Sequence, residues 1–516
     1  MSKVLTRKLA EAESYEEWSD YAIRYDQKKG MDKWKSQSKS DLYDYEAIRN
    51  RLETLKALRE ANNNPALLFT LNEGIHGNLG GMGRSSLYQR AKFGTKDLIV
   101  EYTNEVAAAL EHLAKPRAKG ITMPEKLDFF HRANLCYGQS ALMLSGAGTY
   151  LFFHVGVIKA LWEQDLIPDV LSGASGGAIV AAVVGTRKQE DLAEIFDPDF
   201  LSFDGQIDSI ISRLTPGKHG TIVDSNLQSI IARLIPDITF AEAYAISGLK
   251  INISIAPAEK HQKSRLLNAV TTPNVMVREA VLASSCIPGL FNPVTLAARN
   301  VKGERVPYLP TRKWVDGSLS EDLPMKRLSR LYGVNHNIVS QTNPLVLPFI
   351  SAERAGDGII STITQTSLDT FKSWGLAASH LLQRPLNDRS TLSKIINGYI
   401  SLVSQTYTGD INILPAQRIL NPTTALSVRT PEEIMDLMHE GERSTWPHIE
   451  RIRVQTHVSS TLQRLVNSLD KSLWRNALNG GATGTRKPAE RLKLVSDSTD
   501  SETLEFEAAD PSVKAS

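Results

Sequence analysis

The pentapeptide Gly173-Ala174-Ser175-Gly176-Gly177 sets one serine among small residues. A short apolar segment, Asp169 to Ser172, precedes it, and a small-residue apolar run, Gly176 to Gly185, follows. G-x-S-x-G between a strand and a helix predicts a sharp turn that presents the serine oxygen as a nucleophile. Gly173 and Gly177 relieve crowding around such a turn, and the helix after it points its positive end at the site. Upstream, Ser145-Gly146-Ala147-Gly148-Thr149 lies between an apolar run, Ala141 to Leu144, and a helical pattern from Phe152 to Asp165. A glycine-rich turn at a helix start offers backbone N–H groups to an anion. Beside a serine nucleophile that anion is the tetrahedral oxyanion of acyl transfer, with Gly146, Ala147, Gly148 and Thr149 as its donors. A third segment, Trp314-Val315-Asp316-Gly317-Ser318, ends an apolar run on a carboxylate. A carboxylate within hydrogen-bond reach of Ser175 takes the hydroxyl proton during attack.

Each segment has a plainer reading. The first is also a glycine-rich strand–helix turn with an incidental serine, and Asp-Gly is a frequent turn pair. Gly146-x-Gly148 is similar to the start of a dinucleotide-binding turn, but position 151, where a third glycine would stand, is Leu. Nor does an acidic residue end a strand about 20 residues on, since Asp165 and Asp169 flank a helix-ending turn. His336, after Asp316, formally completes a serine–acid–histidine order. Beside Asn335 it also reads as a structural hydrogen-bonding group, and His154, on the helix after the glycine turn, as a packed core histidine.

These residues need a scaffold, and the pattern from about residue 135 supplies one. Short apolar runs at Ala141–Leu144 and Val170–Leu171, and the alternation from Leu249 to Ile255, read as strands separated by helices. That order predicts a mostly parallel sheet with helices on both faces. The first ~120 residues read as helical, with Tyr15, Trp18, Ala22 and Tyr25 on one face and Tyr45, Ile48, Leu52 and Leu55 on another. The glycine-rich stretch His76 to Arg84 lacks a GK[ST] and a preceding strand, so it reads as a connection or lid. Lys115 to Lys126 reads as a linker. Beyond residue 351 the pattern is mostly helical to about Leu478, and the tail from Asn479 has the composition of a disordered segment.

The 516 residues carry 59 Lys and Arg against 57 Asp and Glu, a net charge of +2. No basic footprint for nucleic acid follows from that balance. Two cysteines, Cys136 and Cys286, exclude a disulfide framework and a Cys-rich zinc site. Met1 to Trp18 has no apolar segment of a secretory signal. Ala133 to Ile158 has no Asp, Glu, Lys or Arg, yet it contains Asn134, Gln139, Ser140, Ser145, His154 and four glycines. Lipid cannot solvate those groups, so a strand, a turn and a buried helix are expected there rather than a membrane span.

Taken in order, the glycine turn, the G-x-S-x-G elbow and the downstream Asp-Gly-Ser resemble the patatin-like acyl hydrolases. More narrowly the chain is similar to the branch with an extra helical N-terminal domain, which includes fungal and plant triacylglycerol lipases. Leu79-Gly80-Gly81, Leu87-Tyr88 and Gly94-Thr95-Lys96 carry the likeness there. Ala283 to Phe291, Asp316 to Pro324, Asn335 to Gln341 and Gln405 to Asp410 carry it in the core. Two departures stand out: Ala147 replaces the middle glycine of the usual turn, and Tyr150 stands where an arginine often follows. Ala147 is compatible with the turn if its φ is negative.

The resemblance implies an α/β fold, a patatin-like three-layer sandwich with helical additions at both ends. The expected divisions are 1–130, helical; 131–350, catalytic; 351–478, helical; and 479–516, disordered. It implies a Ser175–Asp316 dyad without histidine, an acyl-serine intermediate, and carboxylic esters of acylglycerols or phospholipids as substrates. No metal or organic cofactor is required by that scheme. It also implies a cytoplasmic protein held peripherally on a membrane or lipid droplet, with Trp18, Tyr21, Tyr25 and Trp34 as the first candidates for contact. A catalytically inactive lipid-binding relative and a Ser-His-Asp esterase remain open alternatives.

Overall fold

Helix starts in the N-terminal part follow from local chemistry. Ser14 caps the helix Tyr15–Lys28 by accepting from the Glu17 N–H at 3.2 Å. Asp44 does the same for Tyr45–Glu60 through the Ala47 N–H at 3.0 Å. Thr122 and Glu125 form a reciprocal capping box that opens Met123–Tyr137. The helical spacing of Tyr15, Trp18 and Ala22 puts all three on a buried face. They join the same core cluster as Phe152, Phe153 and the sheet. The computed structural model describes residues 2–116, 118–201, 221–259, 262–288, 291–344, 346–347, 350, 408–416 and 429–480. It divides into two units, Met1–Gln463 and Arg464–Ser516, and the first holds the sheet and the candidate site.

Nine strands are described: β1 (Gln139–Leu144), β2 (Val170–Gly173), β3 (Lys250–Pro257), β4 (Arg265–Asn268), β5 (Leu296–Arg299), β6 (Arg305–Tyr308), β7 (Trp314–Asp316), β8 (Val334–Ser340) and β9 (Ile411–Ile413). The central sheet runs β4-β3-β2-β1-β8-β9, with β7 also pairing with β3, while β5 and β6 form a separate ribbon. β3, β2, β1, β8 and β9 are mutually parallel, whereas β4 and β7 run antiparallel to β3. Alternation along β1 sorts the two faces. Leu142 and Leu144 enter the large cluster with the helices Leu151–Trp162, Gly176–Gly185 and Val277–Ser285. Ala141 and Met143 enter a smaller cluster that Leu328 of the helix Met325–Tyr332 covers. The result is the helix–sheet–helix sandwich that the alternating pattern predicts. After β1 the chain builds β2 and β3 on one side, and β8 and β9 flank β1 on the other. Crevices at such reversals, outside the carboxyl ends of parallel strands, are where α/β folds place their ligands.

The charge-free stretch Ala133–Ile158 is the end of a helix, β1, the glycine turn and most of a second helix. Among the described residues no helix is long and apolar enough to cross a membrane. The loop around Gly80 is a fixed connection, because its carbonyl accepts from the Asp44 N–H at 2.8 Å and Gly83 O accepts from Gln455. β9 is a difference from the helical reading of 351–478: three residues of that region add a strand to the sheet. Residues 351–407, 417–428 and 481–516 lie outside the described residues. The aromatic face also differs from expectation. Trp18 is 5% exposed in the core, so it is not a surface anchor. Trp34 is half-buried with the Lys96 ammonium 4.3 Å from its ring centre.

The last described helix, Pro431–Gly480, packs through its residues before Gln463 onto Leu151–Trp162 at backbone contact distance. A Cβ on Gly156 would lie 1.9 Å from Met438 O, and one on Gly441 would lie 2.1 Å from Phe153 O. Overfilling a close-packed site of this kind typically costs about 1–3 kcal/mol. Gly156→Ala and Gly441→Ala are each expected to destabilise the protein by at least that much, read as a lower midpoint in urea. An unchanged midpoint would show that this crossing is not tight.

Candidate active site

Ser175 takes φ 51° and ψ −123°, a left-handed backbone that a non-glycine residue adopts only under local constraint. Three features hold it. The Ser175 N–H donates to Ser284 Oγ at 2.9 Å, and that hydroxyl donates onward to Ser254 O at 2.7 Å. A Cβ on Gly173 would lie 2.3 Å from Gly177 O, and one on Gly177 would lie 2.3 Å from Leu144 O. Only glycine lets the elbow close so tightly onto β1. The helix Gly176–Gly185 is buried along its whole length, which anchors the turn from below. Its first turn closes on the elbow itself, the Gly177 N–H donating to Ala174 O and the Ala178 N–H to Ser175 O, both at 2.9 Å.

Asp316 ends β7, where antiparallel pairing sets it opposite Ile255 near the carboxyl end of β3. That antiparallel strand brings a residue 141 positions downstream of Ser175 to the parallel edge. The Ser175 side chain comes near enough to the Asp316 carboxylate to favour its charged form. Asp316 is almost wholly buried, and its Oδ1 also accepts the Ser318 N–H at 2.8 Å. Burial pushes its pKa up to about 6, an effect that the Ser318 N–H and the nearby Ser175 and Ser318 side chains partly offset. Gly317 is required here because a Cβ would lie 2.2 Å from Ser254 O.

The turn Gly146–Thr149 abuts the elbow. A Cβ on Gly176 would lie 2.7 Å from Gly148 O and 3.1 Å from Gly148 N. Gly148 has φ 55°, a conformation suited to glycine, while Ala147 has φ −139°, which any residue adopts. The replacement of the middle glycine by Ala147 therefore leaves the turn intact. The four-donor expectation needs one correction. The Gly146 N–H is already donated to Asp322 Oδ1 at 2.7 Å, so it is not open to a substrate. The Ala147 and Gly148 N–H groups have no acceptor among the described residues, and Thr149 lies half-buried in the same turn. At the position after the turn, the Tyr150 ring carries the Arg429 guanidinium 4.8 Å from its centre.

Histidine stands elsewhere. His336 pairs in register with Ser140 at the start of β1 and bonds Ser140 Oγ and Gln455 Oε1 at 2.9 and 3.0 Å. Ser175 follows the opposite end of β2, whose last residue aligns with Leu144. His154 is fully buried beneath the glycine turn, where burial pushes its pKa down to about 4. With its proton on Nε2 it donates to Ser145 O at 3.1 Å, and the Ser340 hydroxyl donates to Nδ1 at 2.7 Å. Ser284, Asp322 and Asn343 were not singled out as site residues from the sequence. Ser284 and Asp322 lie inside two of the segments that carry the family likeness. A serine or an aspartate there shows its partner only once the strands are assembled.

Residues 142–328 match the model of the patatin-like phospholipases, and residues 1–135 match a domain of unknown function (DUF3336). The chain is 32% identical to triacylglycerol lipase ptl3 of Schizosaccharomyces pombe over 88% of its own length and 96% of that protein's. The chain belongs to the patatin-like phospholipase family. It is also 33% identical to triacylglycerol lipase 4 of Saccharomyces cerevisiae, over 88% of this chain and 52% of that protein. A patatin-like phospholipase domain-containing protein of Meyerozyma guilliermondii is 30% identical, over 90% of this chain and 67% of that one. The chain thus spans between about half and nearly all of these relatives.

The Ser284 hydroxyl is the link that ties the elbow to β3. Ser284→Ala leaves the Ser175 N–H and Ser254 O unpaired in a buried place, a change worth about 1–3 kcal/mol. It is expected to lower the melting temperature and to slow fluorophosphonate labelling of Ser175 severalfold. Labelling at the wild-type rate would show that the elbow holds without this link.

Proposed function

We propose that the chain hydrolyses carboxylic esters of lipids, acylglycerols or phospholipids, through an acyl-Ser175 intermediate with Asp316 as the base. The approach of the Ser175 side chain to the buried Asp316 carboxylate, next to two uncommitted backbone donors, carries this reading. Relatives named triacylglycerol lipase and patatin-like phospholipase support lipid esters as the substrate class. In the first half-reaction Asp316 accepts the hydroxyl proton as Ser175 Oγ attacks the ester carbonyl carbon. The carbonyl oxygen becomes an oxyanion facing the Ala147 and Gly148 N–H groups, each such donor being worth about 10²–10³ in rate. The tetrahedral adduct collapses, the proton passes from Asp316 to the departing alcohol oxygen, and acyl-Ser175 remains. In the second half Asp316 takes a proton from water, the hydroxyl attacks the acyl carbon, and the proton returns to Ser175 as the fatty acid leaves. The placement of His336 at the start of β1, and the hydrogen bonds that occupy both ring nitrogens of His154, support a mechanism without imidazole.

The same reading includes a chain that meets its substrate at a lipid surface without crossing it. Flotation with phospholipid vesicles, reversed by salt or carbonate, is the expected behaviour. A protein that resists carbonate like an integral marker would overturn it.

Ser175→Ala is expected to reduce hydrolysis of a soluble p-nitrophenyl ester by more than about 10³-fold while leaving the melting temperature unchanged. Asp316→Asn should act nearly as strongly, and the double variant little worse than either, as residues acting as one unit behave. His336→Ala should keep most of the activity. Full turnover by Ser175→Ala would leave a lipid-binding chain whose chemistry lies elsewhere.

The pH profile follows from the sign of the Asp316 shift. The base works as a carboxylate, and burial raises its pKa to about 6. kcat/KM should therefore rise as pH passes upward through about 6 and level off above it. A plateau reaching down to pH 4 would mean that Asp316 is not the titrating base.

A further inference from the structure

Asp322 is a second buried carboxylate six positions beyond Asp316, on the far side of the short helix Ser318–Glu321. Its Oδ1 accepts the Gly146 N–H at 2.7 Å, and its Oδ2 accepts Asn343 Nδ2 at 3.2 Å. Asn343 belongs to the loop after β8, so one carboxylate joins the turn after β1 to that loop. The turn has little room to move otherwise. A Cβ on Gly146 would lie 2.8 Å from Ser318 Cβ, so this residue is pressed against the segment that carries both aspartates. Its neighbour Ser145 is held by Ser340 O, which accepts its N–H at 3.1 Å, and by the Thr342 N–H, which donates to its Oγ at 2.9 Å. These bonds fix Ser145 from below, and among the described residues the Asp322 carboxylate is the acceptor that holds the Gly146 N–H from the side of Asp316. The next two N–H groups along the chain are those of Ala147 and Gly148.

We infer that Asp322 is a positioning residue of the reaction: by gripping the Gly146 N–H it aims the Ala147 and Gly148 N–H groups at the oxyanion, and through the short helix Ser318–Glu321 it ties their direction to the position of Asp316. This rests on the hydrolase reading above. When Asp322 is ionised, a charge-assisted bond of this length is among the stronger ones available to a backbone N–H. It also explains why Gly146, whose N–H no substrate reaches, sits in the turn at all. The peptide must approach the Asp316–Asp322 segment more closely than any side chain allows.

Asp322→Ala removes the acceptor, and Asp322→Asn keeps an oxygen that can still accept from Gly146. For a soluble short-chain ester, Asp322→Ala is expected to lower kcat at least about tenfold, a fraction of what a lost oxyanion donor costs, with KM unchanged. Inhibition by a trifluoromethyl ketone, which becomes a tetrahedral oxyanion on Ser175, should weaken by the same factor. Binding of an unreactive ether analogue of the ester should not change. Asp322→Asn should restore most of both losses. Should Asp322→Ala fail to fold, Asn343→Ala, which removes one donor from the other carboxylate oxygen, should show the same pattern at smaller size. The inference is overturned if a folded Asp322→Ala keeps wild-type kcat, if ether-analogue binding falls in step with kcat, or if Asp322→Asn is as impaired as Asp322→Ala. Ser175→Ala in the same assay separates the two levels. If that variant turns over normally the hydrolase reading fails, and the Asp322 inference fails with it.

Discussion

The left-handed backbone at Ser175 is the constraint on which the rest of the molecule turns. Holding a non-glycine residue in such a region costs about 1–3 kcal/mol, and it persists only where the surroundings over-determine it. Here they do so through three independent means. Gly173 and Gly177 let the turn press against its own helix and against β1, the Ser284 hydroxyl bridges Ser175 N–H to β3, and the buried helix Gly176–Gly185 locks the exit. The central strand β1 and its neighbours β2 and β3 are thus as much the support of one peptide unit as they are the core.

Electrostatics follow from the same compaction. Asp316 and Asp322 stand in one buried region, and burial is the largest reason that both have raised pKa values, about 6 and about 7. Each carboxylate receives hydrogen bonds, from the Ser318 N–H in one case and from Gly146 and Asn343 in the other. A carboxylate of ordinary pKa is a feeble base toward a serine hydroxyl. Desolvation strengthens it, and fixed donors keep it ionised at neutral pH. The repulsion from Asp316 adds to the shift at Asp322, so the two titrate as neighbours rather than as isolated groups.

The additions at the two ends are built into the same core. Ala12, Tyr15, Trp18 and Ala22 share a cluster with the catalytic sheet and with Trp446, Ile449 and Ile452 of the C-terminal helix. Their side chains close the face of the sandwich that the helices Leu151–Trp162 and Gly176–Gly185 present. This explains why an amphipathic aromatic helix that reads as a lipid anchor in isolation has Trp18 buried. Helical periodicity states that a face is apolar, and leaves open whether protein or lipid covers it.

What the sequence alone determined is the part governed by local rules. The elbow helix Gly176–Gly185 appears at the residues that its composition predicts, and β1, β2 and β3 lie within a residue or two of their apolar runs. Turn geometry, strand alternation and helix capping depend on neighbours along the chain, so they can be read from it. β9, three residues in a segment that otherwise reads as helical, could not be read, because its strand character comes from pairing with β8. Ser175 and Asp316 were legible as two motifs, but their approach depends on β7 running antiparallel beside β3. Asp322 gave no signal of its own, since an aspartate between Glu321 and Leu323 is chemically ordinary. Only the tertiary structure turned it inward, against a backbone N–H 176 residues earlier. The physical reason is range: hydrogen bonds to backbone groups across the sheet are set by where strands lie, and no local pattern encodes that distance.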